Sequence, residues 1–277
     1  MSCPDGCATP WWADILHTLL EWGLAVRGVW RLLRALTHLV SGLLTILMLF
    51  PWLSATRREQ QVQRWSQRMV HQLGIALDVQ GQPAQDGPLL IVANHISWLD
   101  ITALHAACYC RFVSKADVKA WPLIGALAKG IGTLFIQRES RRDAQRVVHT
   151  MAQSLLDGDV LAVFPEGTTG DGDTLLPFHA NLLQAAISAD APIQPVALQY
   201  LQAKTGQRSK AVSYVGDETL VGSVWRTVAS PHAIAVRISF GTPQLCAGRD
   251  RRVWAQDLAH AIEQMRRSGP GPQTTGH

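Results

Sequence analysis

The chain begins with two apolar segments that differ in charge. Residues 11–30 carry Asp14, Glu21 and Arg27 among apolar positions, which is typical of an amphipathic helix at a membrane surface. Residues 35–53 contain no Asp, Glu, Lys or Arg, and their length approaches the ~20 residues that a bilayer-spanning helix needs. We therefore expect a membrane element here that either crosses the bilayer or dips into one leaflet. A buried helical hairpin is the alternative.

A surface helix and a turn-rich linker come next. Residues 57–74 place Val62, Trp65 and Met69 on one stripe, which predicts a helix with one buried face. Residues 80–88, Q-G-Q-P-A-Q-D-G-P, are typical of a linker. The predicted division is 1–78 for membrane-associated helices, 79–267 for a catalytic domain and 268–277 for a disordered tail.

Short apolar runs alternate with helical patterns through the rest of the chain. This alternation predicts an α/β fold with a mostly parallel sheet flanked by helices. Binding sites in such sheets lie at the carboxyl ends of the strands. The predicted strands are 89–93, 112–114, 133–136, 160–164, 193–198 and 234–240, and the predicted helices are 141–156, 178–189 and 251–265.

Composition adds two constraints to this picture. The hydrophobic fraction of 47% is high for a soluble domain and low for a protein with many membrane spans, which favours a globular body with a short membrane element. The net charge of +4 comes from arginine, whose planar fork binds phosphates and anionic headgroups. Five scattered cysteines favour neither a disulfide framework nor a zinc site.

The most informative motif is L-L-I-V-A-N-H-I-S-W-L-D, residues 89–100. His95 follows the apolar strand directly, and Asp100 comes five residues later. A strand-to-helix turn can bring the carboxylate back onto the imidazole, where it fixes the tautomer and raises the basicity of the other nitrogen. Such a pair suits the deprotonation of an alcohol. Because a lone His–Asp pair is often only a structural hydrogen bond, its position at a strand end matters.

Two other predicted strands also end in polar groups. The run V-L-A-V-F-P-E-G-T-T, residues 160–169, carries Glu166 in a tight loop, and G-T-L-F-I-Q-R, residues 132–138, ends in Arg138. Each feature alone is commonly a solvated surface charge. Together they would place a base, a carboxylate and a phosphate-binding cation around one cleft.

Four blocks appear in order along the chain: N-H-I-S-W-L-D, F-I-Q-R, F-P-E-G-T-T and P-I-Q-P-V-A-L. From about Arg57 to about Met265 the sequence resembles the 1-acylglycerol-3-phosphate acyltransferases, a family of lysophospholipid acyltransferases. The resemblance implies a glycerolipid acyltransferase-like fold. It also implies acyl transfer from acyl-CoA or acyl-carrier protein to the sn-2 hydroxyl of 1-acylglycerol-3-phosphate, which makes phosphatidic acid. No cofactor and no metal are expected.

The resemblance also assigns roles to residues. His95 is expected to be the general base and Asp100 its orienting partner, whereas Gln137 departs from the family's usual residue and carries little weight. The expected partners are a lysophospholipid acceptor, the acyl donor and membrane lipid, without nucleic acid, and the catalytic domain is expected at the cytoplasmic face of the inner or plasma membrane. The residues expected to bind substrate are Asn94, Lys115, Arg138, Glu166, Gly167 and Thr168.

Three other functions stay open at this point. The acceptor could be a different lyso-lipid, such as a lyso-ornithine lipid, because the motifs do not encode its identity. A membrane-anchored thioester hydrolase would use the same His–Asp pair but would leave Arg138 and Lys115 without a task. A non-catalytic membrane scaffold on the same fold would not depend on His95.

Overall fold

A seven-stranded sheet organises the described part of the chain, which in this computed structural model is residues 11–84, 87–136 and 141–268. Arg138 and the residues beyond 268 lie outside these ranges. The elements in chain order are α1 (Trp11–Met48), α2 (Ala55–Gln72), β1 (Ile75–Gln80), β2 (Leu89–Ala93), α3 (Asp100–Ala107), β3 (Arg111–Lys115), α4 (Ile124–Gly130), β4 (Leu134–Ile136), α5 (Arg141–Leu156), β5 (Val160–Val163), α6 (Gln184–Ser188), β6 (Ile193–Gln202), α7 (Leu220–Val228), β7 (Ile234–Phe240) and α8 (Arg251–Arg267).

The described strands lie in the order β1-β7-β6-β2-β5-β3-β4. Strands β6 and β7 are antiparallel, whereas the other neighbouring pairs among the described strands are parallel. The predicted α/β fold with a mostly parallel sheet is therefore confirmed. The predicted strands all lie in it, but β1 was not predicted, and the boundary expected after residue 78 falls inside this strand.

Strand β2 lies in the middle of the sheet and is buried on both faces. Leu89 and Ile91 point into one core cluster, which α2, α3 and α7 cover, whereas Leu90 and Val92 point into the other, which α5, α6 and α8 cover. This double burial explains why the strand is apolar at every position rather than at alternate ones. It also fixes the position of the loop that follows.

The two apolar segments at the start of the chain form one helix, α1, of 38 residues. It ends at Met48, just before a 3₁₀ turn over Phe50–Trp52 that has proline at its start. Within the described residues, the stretch Glu21–Met48 is long and apolar enough to cross a membrane, with a mean hydropathy of 1.3 and 11% of it buried. Such exposure is unlike a core helix of a soluble protein and indicates membrane association.

One stripe of α1 packs closely on the α/β body that contains the sheet. Arg31 donates a 3.0 Å hydrogen bond to the carbonyl of Val228 at the end of α7. His38 and Trp65 of α2 exchange side-chain to backbone hydrogen bonds of 2.9 and 3.1 Å. A methyl group added at Gly42 would lie only 2.5 Å from Nε1 of Trp65, so the two helices touch there. The helix is therefore docked along the body and does not stand away from it.

Candidate active site

His95 and Asp100 meet at the carboxyl end of β2, as the sequence predicts. Nδ1 of His95 lies 2.8 Å from Oδ2 of Asp100, which is the first residue of α3. The backbone N–H groups of Ile96 and Ser97 donate to the same oxygen at 2.6 and 2.9 Å. The intervening loop thus wraps around the carboxylate and turns the chain from strand into helix.

The imidazole is partly exposed, while its partner is not. The side chain of His95 is 19% exposed and that of Asp100 is 0% exposed. The ring of Phe164 stacks on the His95 ring at 4.0 Å between centroids, which fixes the ring plane. Because an ionised carboxylate only accepts hydrogen bonds, Nδ1 carries the proton and Nε2 is the nitrogen that can take up another.

Tyr200 on β6 completes the surroundings of Asp100 and was not predicted. Its hydroxyl donates a 2.7 Å hydrogen bond to Oδ1 of Asp100. Burial, together with the negative charge of Asp100, raises the pKa of Tyr200 well above its usual value, so the hydroxyl stays a donor. The available signal was a polar aromatic residue inside a buried apolar strand, two residues after the P-I-Q-P-V-A-L block.

The buried carboxylate of Glu166 accepts hydrogen bonds from backbone N–H groups, one of them that of His95. It is 5% exposed, and its two oxygens accept N–H groups from His95 at 2.7 Å and from Leu176 at 2.8 Å. Burial raises the pKa of Glu166, although the two backbone hydrogen bonds oppose that shift. The carboxylate therefore joins the His95 loop to the loop that follows β5. Its expected role toward the acceptor remains a prediction.

Asn94 has a similar structural position. Its side-chain amide donates to the carbonyl of Leu198 at 3.0 Å and accepts the Leu198 N–H at 2.7 Å. The residue is 1% exposed, so its amide group is committed to β6. It thereby extends the pairing of β2 and β6 past the end of β2 and holds the backbone from which His95 projects.

The loop after β5 is a tight turn beside His95. Gly167 has φ of +72°, a conformation that disfavours residues with a Cβ, and its N–H donates to the carbonyl of Phe164 at 3.1 Å. Thr168 is exposed, and the N–H of Gly170 returns to the carbonyl of His95 at 2.8 Å. The turn therefore runs past the His95 loop and presents Thr168 to solvent.

Of the two predicted phosphate-binding cations, only Lys115 lies in the described part of the chain. Lys115 ends β3, with a side chain that is 63% exposed and pairs with Asp117 at 2.7 Å. Because β3 and β5 are parallel, as are β5 and β2, Lys115 lies at the same edge of the sheet as His95. Arg138 lies outside the described residues, two positions after the end of β4.

A partly exposed histidine, oriented by a buried carboxylate at the tip of a central strand, is an arrangement that can deprotonate a hydroxyl group. The acyltransferase family model matches residues 76–199. The chain is 36% identical over 205 residues to the lyso-ornithine lipid O-acyltransferase of Pseudomonas aeruginosa, covering 74% of this chain and 78% of that protein. The chain belongs to the acyltransferase family, as the four motif blocks indicated.

Two further likenesses bear on function and fold. The chain is 41% identical over 170 residues to the 1-acyl-sn-glycerol-3-phosphate acyltransferase of Neisseria meningitidis serogroup B, which covers 61% of this chain and 65% of that protein. The chain thus spans slightly less than two thirds of that relative's length. The crystal structure of the 1-acyl-sn-glycerophosphate acyltransferase from Thermotoga maritima has a TM-score of 0.55 at 18% identity, covering 94% of this chain and 98% of that one. This last likeness concerns the fold.

Proposed function

We propose that the protein transfers an acyl chain from a thioester to the free hydroxyl of a lysolipid, with His95 as general base. The observation that supports this proposal most directly is the hydrogen bond between Asp100 and Nδ1 of His95, with the His95 ring still partly exposed at the strand tip. Neutral His95 takes the hydroxyl proton at Nε2, and the acceptor oxygen attacks the thioester carbonyl. The tetrahedral intermediate then expels the thiolate, which receives the proton from the imidazolium. No serine or cysteine nucleophile is needed.

Asp100 is suited to stabilise the imidazolium during this reaction. It accepts four hydrogen bonds, from His95, Tyr200 and two backbone N–H groups. Because these donors are fixed before reaction, the carboxylate need not reorganise when the imidazole becomes charged. Tyr200 acts here as a positioning residue.

The tetrahedral oxyanion needs donors of its own, and we assign these to the backbone of the 166–168 turn. The N–H of Gly167 is already donated to Phe164, so we favour the N–H of the exposed Thr168. Removing one such donor from an acyl-transfer site typically lowers kcat by about 10²–10³-fold.

The acceptor we favour is 1-acylglycerol-3-phosphate, which would give phosphatidic acid. The Neisseria relatives that carry this name support it. Lys115, at a strand end on the same sheet edge as His95, would attract the acceptor phosphate together with Arg138. The donor would be acyl-CoA or acyl-carrier protein, and neither requires a cofactor or a metal.

A lyso-ornithine lipid is the second candidate acceptor. The observation that favours it is alignment length, because the Pseudomonas relative is matched over 78% of its chain and the Neisseria relative over 65%. Both acceptors offer a free hydroxyl to the same base, and they differ in the charge of the group that Arg138 and Lys115 would meet.

We further propose that α1 lies in the plane of the cytoplasmic leaflet and does not cross the bilayer. The helix is docked on α2, whose exposed Arg57, Arg58 and Arg64 would enter the hydrocarbon if the docked pair spanned it. Each arginine at the bilayer centre costs roughly 2.5–3.5 kcal/mol or more. A cytoplasmic position also fits donors that are water-soluble thioesters.

The test is acyl transfer by the purified full chain in phospholipid vesicles. Labelled acyl-CoA and acyl-carrier protein are each supplied with lysophosphatidate, with lyso-ornithine lipid, or with no acceptor. Phosphatidic acid as the faster product supports the first acceptor, and acylated ornithine lipid supports the second. Thioester consumption that persists without any acceptor would contradict the proposal and indicate a hydrolase.

A further inference from the structure

Helix α7 has an inverted distribution of polar and apolar side chains. Val221 is 79% exposed and Trp225 is 40% exposed, one turn apart on the same face. The residues that α7 buries include Ser223 and Thr227, at 0% and 1% exposure. A helix of this length that faces water normally has the opposite pattern. The sequence of α7 is therefore suited to an apolar environment outside the protein.

The buried hydroxyl groups of α7 are satisfied inside the protein. Ser223 Oγ accepts a 3.2 Å hydrogen bond from Nε1 of Trp98, and Thr227 Oγ1 lies 3.1 Å from the carbonyl of Ala211. Arg226, also on α7, pairs with Glu218 at 2.6 Å. These polar groups of the helix thus have partners within the chain, whereas Val221 and part of the Trp225 ring are exposed to solvent.

The exposed face of α7 is continuous with the apolar face of α1. The ring of Trp225 packs against Gly28 of α1, where an added methyl group would lie 3.3 Å from it. Val29 and Leu32, beside Gly28 on α1, are 47% and 40% exposed. The Arg31 hydrogen bond to the carbonyl of Val228 fixes the two helices to each other. One apolar surface therefore extends from α1 onto the catalytic body.

We propose that Val221 and Trp225 of α7 form a second membrane-contact surface that inserts into the same leaflet as α1. The partner is a bilayer because the exposed surface of α7 is continuous with that of α1. The apolar layer of one leaflet then covers both helices. Tryptophan is enriched at the level of lipid headgroups, where its ring can bury apolar area and keep its N–H near water. The contact would anchor the catalytic body directly as well as through α1.

The contact also reaches the catalytic loop. Trp98, which bonds Ser223, is three residues after His95 and lies between β2 and α3. Seating α7 in the headgroup layer would thus hold the His95 loop close to the membrane surface. This consequence rests on the proposed function, since a lysolipid acceptor reaches the site from that surface.

The experiment uses an environment-sensitive NBD label at position 221. Val221→Cys is made in a full chain with serine at positions 3, 7 and 246, which leaves the buried Cys108 and Cys110 in place. Val253→Cys is the matched control, a valine that is 49% exposed on α8. Helix α8 covers the opposite face of the sheet from α7. Vesicles of phosphatidylethanolamine and phosphatidylglycerol carry a spin label near the headgroups.

The expected result is an NBD blue shift and quenching by the spin label at position 221, with little of either at position 253. Equal or absent quenching at both positions would overturn the proposal. A blue shift that appears without vesicles as the protein is concentrated would assign the surface to a second copy of the chain. A shift that requires acyl-carrier protein would assign it to that carrier. Because no acyl transfer is measured, failure here is distinct from failure of the proposed function.

A second readout is vesicle partitioning of Val221→Asp beside Val253→Asp. Placing a carboxylate in the inserted face should weaken partitioning by roughly tenfold, while the same change on α8 should have little effect. Equal partitioning of the two variants would contradict the proposal.

Discussion

Tyr200 and Asp100 are 100 residues apart in sequence and are joined by a 2.7 Å hydrogen bond from the phenol to Oδ1. The other oxygen of the same carboxylate binds Nδ1 of His95. Strand β6 thus takes part in orienting the proposed base, through the carboxylate of Asp100. Tyr200 is therefore expected to affect the rate of the chemical step more than substrate binding.

Tyr200→Phe should lower kcat by about tenfold and change KM for the lysolipid little, because a hydrogen bond to a charged acceptor is worth roughly 1.5–3 kcal/mol and only part of it acts on the transition state. Steady-state kinetics against the wild type check this. Tyr109→Phe is the control, since the Tyr109 hydroxyl binds the carbonyl of Ile131 away from the site. An equal loss of kcat in both variants would reduce Tyr200 to a general stabilising role.

Arg138→Ala should raise KM for lysophosphatidate more than it lowers kcat, because the guanidinium is assigned to the acceptor phosphate. Arg146→Ala is the matched control, an arginine on α5 whose side chain is 77% exposed. Kinetics with the acceptor concentration varied at saturating donor give the comparison. An unchanged KM in the Arg138 variant would remove this residue from the acceptor site.

The contact between α1 and α2 predicts that Gly42→Ala is destabilising. The added methyl group would lie 2.5 Å from Nε1 of Trp65, and relieving the overlap should cost about 1–3 kcal/mol. Gly23→Ala is the control on the same helix, where no described atom lies within 4 Å of the added group. Thermal unfolding in detergent should separate the two. A Gly42 variant as stable as the Gly23 variant would show that α1 is not tightly docked.

The burial of His105 should make the stability of the protein depend on pH. It is 2% exposed, and burial lowers its pKa to about 4, although a backbone hydrogen bond opposes this. Between pH 6.5 and 4 the unfolded chain binds a proton at this histidine that the folded chain does not. The contribution of His105 to the unfolding free energy is therefore complete above pH 6.5 and is lost as the pH falls towards 4. At pH 5 the loss from this group is about 2 kcal/mol.

His105→Phe should therefore show a smaller fall in unfolding free energy between pH 7 and pH 5 than the wild type. Denaturant unfolding at the two pH values measures the difference. His149→Phe, at an exposed position of α5, should keep the wild-type pH dependence. An unchanged pH dependence in the His105 variant would contradict this, because it would mean that folding leaves the pKa of His105 unchanged.

The sequence predicted those parts of the molecule that local pattern determines. Strand β2 has an unbroken apolar run, and His95 and Asp100 are close enough in sequence for one turn to join them. The missed features depend on distant pairing. Edge strand β1 is held by β7, for example through Asp78 and Arg237, which are 159 residues apart. Nothing in the local sequence of either strand encodes that partner.

Helices α1 and α7 illustrate two further reasons. Arg31 and Arg34 interrupt the apolar run and suggested two separate helices, but Arg31 binds a carbonyl of α7 and the helix continues through it. The Ser and Thr of α7 gave no helix signal, because their burial depends on partners such as Trp98. The contacts of Glu166 were likewise not predicted, because its oxygens accept backbone N–H groups of His95 and Leu176 that lie elsewhere in the sequence.

The central claim is that His95 is the general base of acyl transfer to a lysolipid hydroxyl. The most direct measurement is the transfer rate from labelled acyl thioester to 1-acylglycerol-3-phosphate by wild type, His95→Ala and the exposed control His149→Ala, each in the same vesicles. We expect a loss of about 10²–10⁴-fold for His95→Ala and a near wild-type rate for the control. A His95→Ala protein that is folded and turns over at the wild-type rate would contradict it.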